Sequence, residues 1–292
     1  MAASDAYGRG RDGTMTRALV LGGGGVAGVA WEIGVIDALA QAGVHLRDAD
    51  RIIGTSAGAA VGAQLCTDES LESLCARQLV PASESAELQV DFNVDAIANL
   101  VIGALEEELE PQELRARMGA FALSTATVDE VVRRAVIESR LSDHDWSSRD
   151  LVVTAVDAFT GVFVTFDRHS GVDLVDAVAA SCAVPGVWPP VTIGASRYID
   201  GGVRSAVNLD LAAKCEIVVV IAPSVMGFGG SVLDQAEQLR ASGVTVEVIA
   251  ADDSSLAAFG PNVLDPASRR PSLLEGRRQG AEAAERLLEV WS

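Results

Sequence analysis

Ser56 lies in Gly54-Thr55-Ser56-Ala57-Gly58, between the short apolar run Arg51-Ile52-Ile53 and the small residues Ala57 to Ala63. A strand that turns sharply into a helix lifts a serine hydroxyl clear of the backbone. Glycines on either side admit neighbouring main chain where a side chain would collide. The free N–H groups that open such a helix favour negative charge developing beside the serine. These features describe a nucleophile elbow, and the chemistry it suits is acyl transfer through a covalent serine intermediate. Serine attacks only when a neighbour takes its proton and other donors steady the oxyanion.

Histidine is the usual base, but the three here, His45, His144 and His169, are isolated and none follows a late core strand. None is assigned a role. The α/β-hydrolase order would also need several strands before the nucleophile, whereas only two precede Ser56. Asp200 is the better candidate, because it ends the strand Arg197-Tyr198-Ile199 and is followed by Gly201-Gly202, which let the backbone turn sharply. With an ordinary pKa near ~3.9, aspartate is a feeble base for an alcohol in water. Direct Ser–Asp catalysis therefore predicts a dry, apolar pocket that raises the carboxylate's proton affinity.

The third element is Gly22-Gly23-Gly24-Gly25-Val26-Ala27-Gly28, directly after the first strand. Such a loop turns consecutive N–H groups one way and opens a helix, which suits an anion. Gly23, Gly25 and Gly28 fit a dinucleotide-binding turn, but the acidic residue needed about 20 positions on is missing. The other reading is an oxyanion hole, with the N–H groups of Gly24 and Gly25 facing the carbonyl attacked by Ser56.

Alternating β and α signals without a linker or internal repeat predict one α/β layered domain over 17–292, after a polar tail at 1–16. Strands are expected at 17–21, 51–53, 151–156, 162–166, 216–221 and 244–249, with a hairpin at 191–199 that delivers Asp200. Helices are expected over 28–42, from Asp173 to about 182, and in a helical, acidic insertion at 66–126. Capping boxes at Thr127-Val128-Asp129-Glu130 and Ser272-Leu273-Leu274-Glu275 predict helices running to about 140 and 290. Apolar runs at 90–94 and 97–105 suggest that the insertion covers an acyl pocket as a lid or wall.

A formal charge of −19, with Lys214 the only lysine, argues against a nucleic-acid partner and against tight docking on anionic bilayers. From Gln78 to Leu114 there are nine carboxylates and no Lys or Arg. Cys66, Cys75, Cys182 and Cys215 lack metal-ligand spacing and read as reduced, small hydrophobes. Neither a secretory signal nor an apolar run of membrane-spanning length is present, so a cytoplasmic protein with at most transient membrane-surface contact is expected. The oligomeric state is left open by the sequence.

Four pieces in order, the glycine loop at 23–28, Gly54 to Gly58, Ala179-Ala180-Ser181-Cys182-Ala183-Val184-Pro185-Gly186-Val187-Trp188-Pro189-Pro190, and Asp200-Gly201-Gly202, resemble the patatin-like phospholipase family of bacterial type. The resemblance spans most of 17–215. It implies a three-layer α/β/α sandwich with a mostly parallel central sheet. It also implies a Ser–Asp dyad that hydrolyses acyl esters of lipids with neither metal nor other cofactor. By position, Ser56 would be the nucleophile, Asp200 the base and Gly23, Gly24 and Gly25 the oxyanion loop. Gly28, Gly54, Gly58, Gly201 and Gly202 would support these turns, and the proline-rich segment would brace the strand that carries Asp200. The chain departs from many members in having Ala27 where they carry Arg or Lys, and Trp31 to Gly34 is one residue longer. The chain beyond about residue 225 matches nothing specific. The rival reading is a non-enzymatic protein that keeps the fold and binds an acyl or anionic ligand.

Overall fold

A computed structural model describes residues 16–90, 102–103 and 107–291. The expected N-terminal tail, apart from Thr16, and most of the apolar runs at 90–94 and 97–105 lie outside the described residues. The strands are β1 (Arg17–Leu21), β2 (Arg51–Gly54), β3 (Asp150–Asp157), β4 (Phe163–Phe166), β5 (Val191–Ile193), β6 (Ser196–Asp200), β7 (Ile217–Ala222), β8 (Met226–Gly227), β9 (Gly230–Ser231) and β10 (Thr245–Ala250). The described helices are α1 (Gly25–Gln41), α2 (Ala57–Leu65), α3 (Leu71–Leu79), α4 (Pro111–Ser124), α5 (Glu130–Arg140), α6 (Leu174–Ser181), α7 (Val232–Ala241), α8 (Asp253–Phe259) and α9 (Arg269–Trp291).

Eight strands form one sheet in the order β10-β7-β1-β2-β3-β6-β5, with β4 also on β3. Pairings among β10, β7, β1, β2 and β3 are parallel, and β4, β5 and β6 pair antiparallel. Because successive side chains in a strand point to opposite faces, each central strand feeds two cores. Leu19 and Leu21 of β1, with Val219 and Ile221 of β7, pack on one face against α1, α2, α6 and α9. Ala18 and Val20, with Val218 and Val220, pack on the other against α7 and the segment 206–215. The three-layer α/β/α sandwich with a mostly parallel sheet thus follows from apolar runs that must be covered on both sides.

Two helix starts differ from the capping boxes read in the sequence. The helix after Thr127 begins at Glu130, and the Glu130 carboxylate does not fold back on Thr127. It accepts instead from the Thr192 N–H at 2.6 Å and from the Thr192 hydroxyl at 3.0 Å, tying α5 to β5. The last helix begins at Arg269, directly behind a short turn in which Asp265 accepts from the Ala267 N–H. Ser272 lies inside that helix, fully buried with its hydroxyl unpartnered, so burial in the core decides a position that sequence spacing assigned to a cap.

Candidate active site

The strand registers alone bring Ser56 and Asp200 together. Val153 of β3 pairs with Gly54 on one side and Phe166 of β4 on the other, and Ala155 pairs with Val164 of β4 and with Asp200. Since β4 takes one edge of β3, β2 and β6 share the opposite edge. The first runs parallel to β3 and the second antiparallel, so their C-terminal ends meet head-on, two residues apart, or about 7 Å along the strand. Ser56 leaves the end of β2 and Asp200 is the end of β6.

The elbow itself is strained. Ser56 sits at φ 55° and ψ −114°, a conformation that costs a non-glycine residue about 1–3 kcal/mol unless its surroundings impose it. Close packing permits the turn: a Cβ at Gly58 would stand 2.2 Å from the Leu21 carbonyl oxygen, and one at Gly54 would stand 2.5 Å from that of Gly58. Three consecutive residues at the end of α6 then hold both Ser56 and Asp200. The Ser56 N–H donates to the Ser181 hydroxyl at 2.9 Å, and the Cys182 thiol donates to the Ser56 carbonyl at 3.2 Å. The Ala183 carbonyl accepts from the Asp200 N–H at 3.0 Å.

A second hub joins the segments around Ser56 and Asp200. Asn208, fully buried and left-handed at φ 50°, donates from Nδ2 to the Thr55 hydroxyl and the Ser205 carbonyl, both at 3.0 Å. Longer contacts reach the Gly201 carbonyl at 3.3 Å and the Thr154 hydroxyl at 3.4 Å. Asn208 thereby touches the residue before Ser56, the residue after Asp200 and the strand between them. Sequence reasoning passed over Ser181 as an individual position and Asn208 altogether, and read Cys182 only as a small hydrophobe, since a side chain that holds distant backbone leaves no local pattern.

Asp200 is 4% exposed. Burial pushes its carboxyl up from the ordinary 3.8 to about 6, against the opposing pull of the Ser56 hydroxyl bond, the Gly202 N–H and the charge of Arg133. The Gly202 N–H donates to Oδ1 at 2.7 Å, and Gly201 packs flat on Thr154. Arg133, from α5, lies over the Trp188 ring at 3.8 Å, with Nε and Nη1 buried and unpartnered. Burial lowers its guanidinium to about 9, with the charge of Arg140 acting in the same direction.

In the glycine loop the three candidate donors divide. Gly23 donates its N–H to the Ala206 carbonyl at 2.9 Å, which counts against the oxyanion role expected of it. Among the described residues, the Gly24 and Gly25 N–H groups have no acceptor. Gly28 donates to the Gly24 carbonyl and packs on Pro223 and Ala57. Ala27 is fully buried, and its N–H is held by the Val263 carbonyl at 3.0 Å.

Gly24, Gly25, Ser56 and Asp200 open onto one cavity of about 570 Å³. Its remaining wall is largely apolar, with Met118 of α4, Val184, Val203 and Leu264 among the lining residues beside Ser224. None of the three histidines borders it. All four cysteines are free. Among the described residues no group of three or more His, Cys, Asp or Glu is placed to hold a metal ion, and no helix is long and apolar enough to cross a membrane.

The sequence profile of the Patatin-like phospholipase family matches residues 19–213, from β1 through the turn that follows Asn208. The chain belongs to this family. Its patatin region contains both members of the Ser56–Asp200 pair and the glycine loop, and family membership supports a lipid hydrolase activity. No curated protein matches the chain. Solved structures that resemble it include VipD from Legionella pneumophila, at 12% identity and a TM-score of 0.45, over 98% of this chain and 72% of that one. They also include the type III effector ExoU, at 16% identity and a TM-score of 0.43, over 94% of this chain and 54% of that one.

Proposed function

We propose that this patatin-family protein is a serine acyl hydrolase that cleaves lipid esters through an acyl-enzyme on Ser56. Asp200 accepts the hydroxyl proton as Ser56 attacks the ester carbonyl. The oxyanion that forms is met by the Gly24 and Gly25 N–H groups, and Asp200 returns the proton to the departing alcohol. Water then enters, Asp200 takes its proton, and the acid is released with Ser56 restored. No step calls on a cofactor or metal.

The observation that supports this reading best is that Ser56, just past the end of β2, and a buried Asp200, at the end of β6, face one apolar cavity from the same edge of β3. A carboxylate at about 6 accepts a proton from serine far more readily than one at 3.8, and preorganised N–H donors in a dry site are worth about 10²–10³ in rate each. The acyl chain would occupy the cavity. Ile102 and Met118, from the region expected as a helical acidic insertion, form part of its wall, in keeping with a lid or wall role there. The excess of carboxylates favours uncharged or zwitterionic esters over densely anionic membrane lipid, and four free cysteines are in keeping with a cytoplasmic setting.

The test is covalent labelling with a fluorophosphonate, together with hydrolysis of p-nitrophenyl butyrate. Ser56 should carry the adduct, and Ser56→Ala and Asp200→Asn should each lose at least a thousandfold in kcat/KM. The wild-type kcat/KM should fall about tenfold per pH unit below about 6, because the base must be ionised in the free enzyme. Full activity in both variants refutes the dyad. Tight acyl-ligand binding without labelling or turnover would establish the binding-protein reading instead.

A further inference from the structure

Three large apolar side chains stand in solvent around the mouth of the catalytic cavity: Ile102 at 52% exposure, Met226 at 62% and Phe228 at 43%. Two of them belong to the hairpin β8–β9, which the sequence reading did not anticipate. Its two-residue strands pair only through Met226 with Ser231 and Gly227 with Gly230. No charged residue occurs between Glu216 and Asp234, in a chain that is 22% charged. Single exposed apolar residues are ordinary on a protein surface. Here, however, they converge on the rim of a cavity whose wall is itself apolar, so one water-averse surface runs from solvent down to Ser56.

The chemistry of the occupant follows from two facts. Whatever covers this rim is continuous with what fills the cavity, which on the reading above is an acyl chain. The hairpin also offers no cation to an anionic headgroup, and the chain carries a net charge of −19, so an anionic surface would repel it. We propose that the hairpin Met226–Ser231, with Ile102 across the mouth, docks the protein on uncharged or zwitterionic lipid aggregates and passes their acyl chains to the cavity. Met226 and Phe228 enter the interfacial layer, while Gly227 and Gly229 seat the hairpin closely on the backbone of Arg204 to Ala206. The inference rests on the acyl-hydrolase reading of the cavity, and its test is a binding measurement that needs no turnover.

The full-length Ser56→Ala protein is mixed with phosphatidylcholine vesicles and its partition measured by sedimentation. The double variant Met226→Ser/Phe228→Ser in the same background should partition at least tenfold less. Val131→Ser, which removes an apolar side chain that is 79% exposed on α5 and does not border the cavity, should partition as its parent does. A Phe228→Trp version keeps an aromatic ring at the tip. Its added emission should shift to the blue on phosphatidylcholine and be quenched by brominated lipid. Any of four outcomes overturns the docking proposal: no partition onto phosphatidylcholine, preference for phosphatidylglycerol, equal loss in Val131→Ser, or no response from Phe228→Trp. A change from dimer to monomer in the double variant, with vesicle binding intact, would assign the surface to a second copy of the chain and likewise overturn it. Loss of the docking proposal leaves Ser56 labelling untouched. Conversely, hydrolysis that survives Ser56→Ala would defeat the catalytic reading without altering the partition.

Discussion

Replacing Asp200 by Asn should stabilise the folded protein while abolishing its activity. Burial raises the Asp200 carboxyl from 3.8 to about 6, and each tenfold change in proton affinity corresponds to about 1.4 kcal/mol. The folded state therefore bears an ionisation cost of about 3 kcal/mol at pH 8, which the unfolded chain does not bear. For a carboxyl whose folded pKa is raised, the favourable contribution is complete below the unfolded value and is lost as pH climbs through the folded one. Asparagine has no charge to bury, and its amide can still accept from the Gly202 N–H and donate to the Ser56 hydroxyl. Urea denaturation at pH 8 should show Asp200→Asn more stable by up to about 3 kcal/mol. At pH 5, still above the sequence pI of 4.4, the wild-type carboxyl is mostly protonated and the gap should narrow by about 1.4 kcal/mol. All other titrating groups are common to both proteins and cancel. A gap that is zero or negative at pH 8, or that does not change between pH 8 and pH 5, would refute the claim that burial sets the proton affinity of this residue.

Ser181→Ala leaves the Ser56 N–H without its acceptor in a buried site, so stability should drop by about 1–3 kcal/mol. Turnover should fall with KM nearly unchanged, and Ser181→Thr should restore it, as read from steady-state kinetics beside a denaturation curve. Asn208→Leu removes the donor shared among Thr55, Ser205, Gly201 and Thr154, and should cost about 3 kcal/mol or more by urea titration. Ala27→Arg would force a cation into fully buried space and should destabilise by more than about 4 kcal/mol, measured as lost soluble yield and a lowered denaturation midpoint. An Ala27→Arg protein as stable as its parent would show that the loop could hold the basic residue many relatives carry.

The sheet was legible because its central strands are continuous apolar runs, and such runs, as at Ile217–Ala222, must be buried on both faces wherever they sit. The turns at Ser56 and Asp200 were legible because close-packed backbone there demands small residues, which leaves Gly54, Gly58, Gly201 and Gly202 as local traces. Their meeting was not legible from local pattern, since it depends on which edge of β3 receives β6, a fact fixed by pairing across more than forty residues of sequence. The Gly23 amide escaped for the same reason: its acceptor, Ala206, is remote in the chain. Ser272 was misread as a cap because side-chain spacing does not report burial. The hairpin at 226–231 escaped because two-residue strands made largely of glycine carry no alternation of apolar and polar side chains.

The head-on arrival of β2 and β6 along a single strand gives the molecule two separate inheritances. Ser56 and Asp200 are spaced by a hydrogen-bonded ladder in the middle of the sheet, whereas much of the cavity wall around them comes from α4, Ile102 and a glycine hairpin. On the acyl-hydrolase proposal, exchanging those outer pieces would change which ester is welcomed while the spacing of Ser56 and Asp200 stays as the sheet sets it.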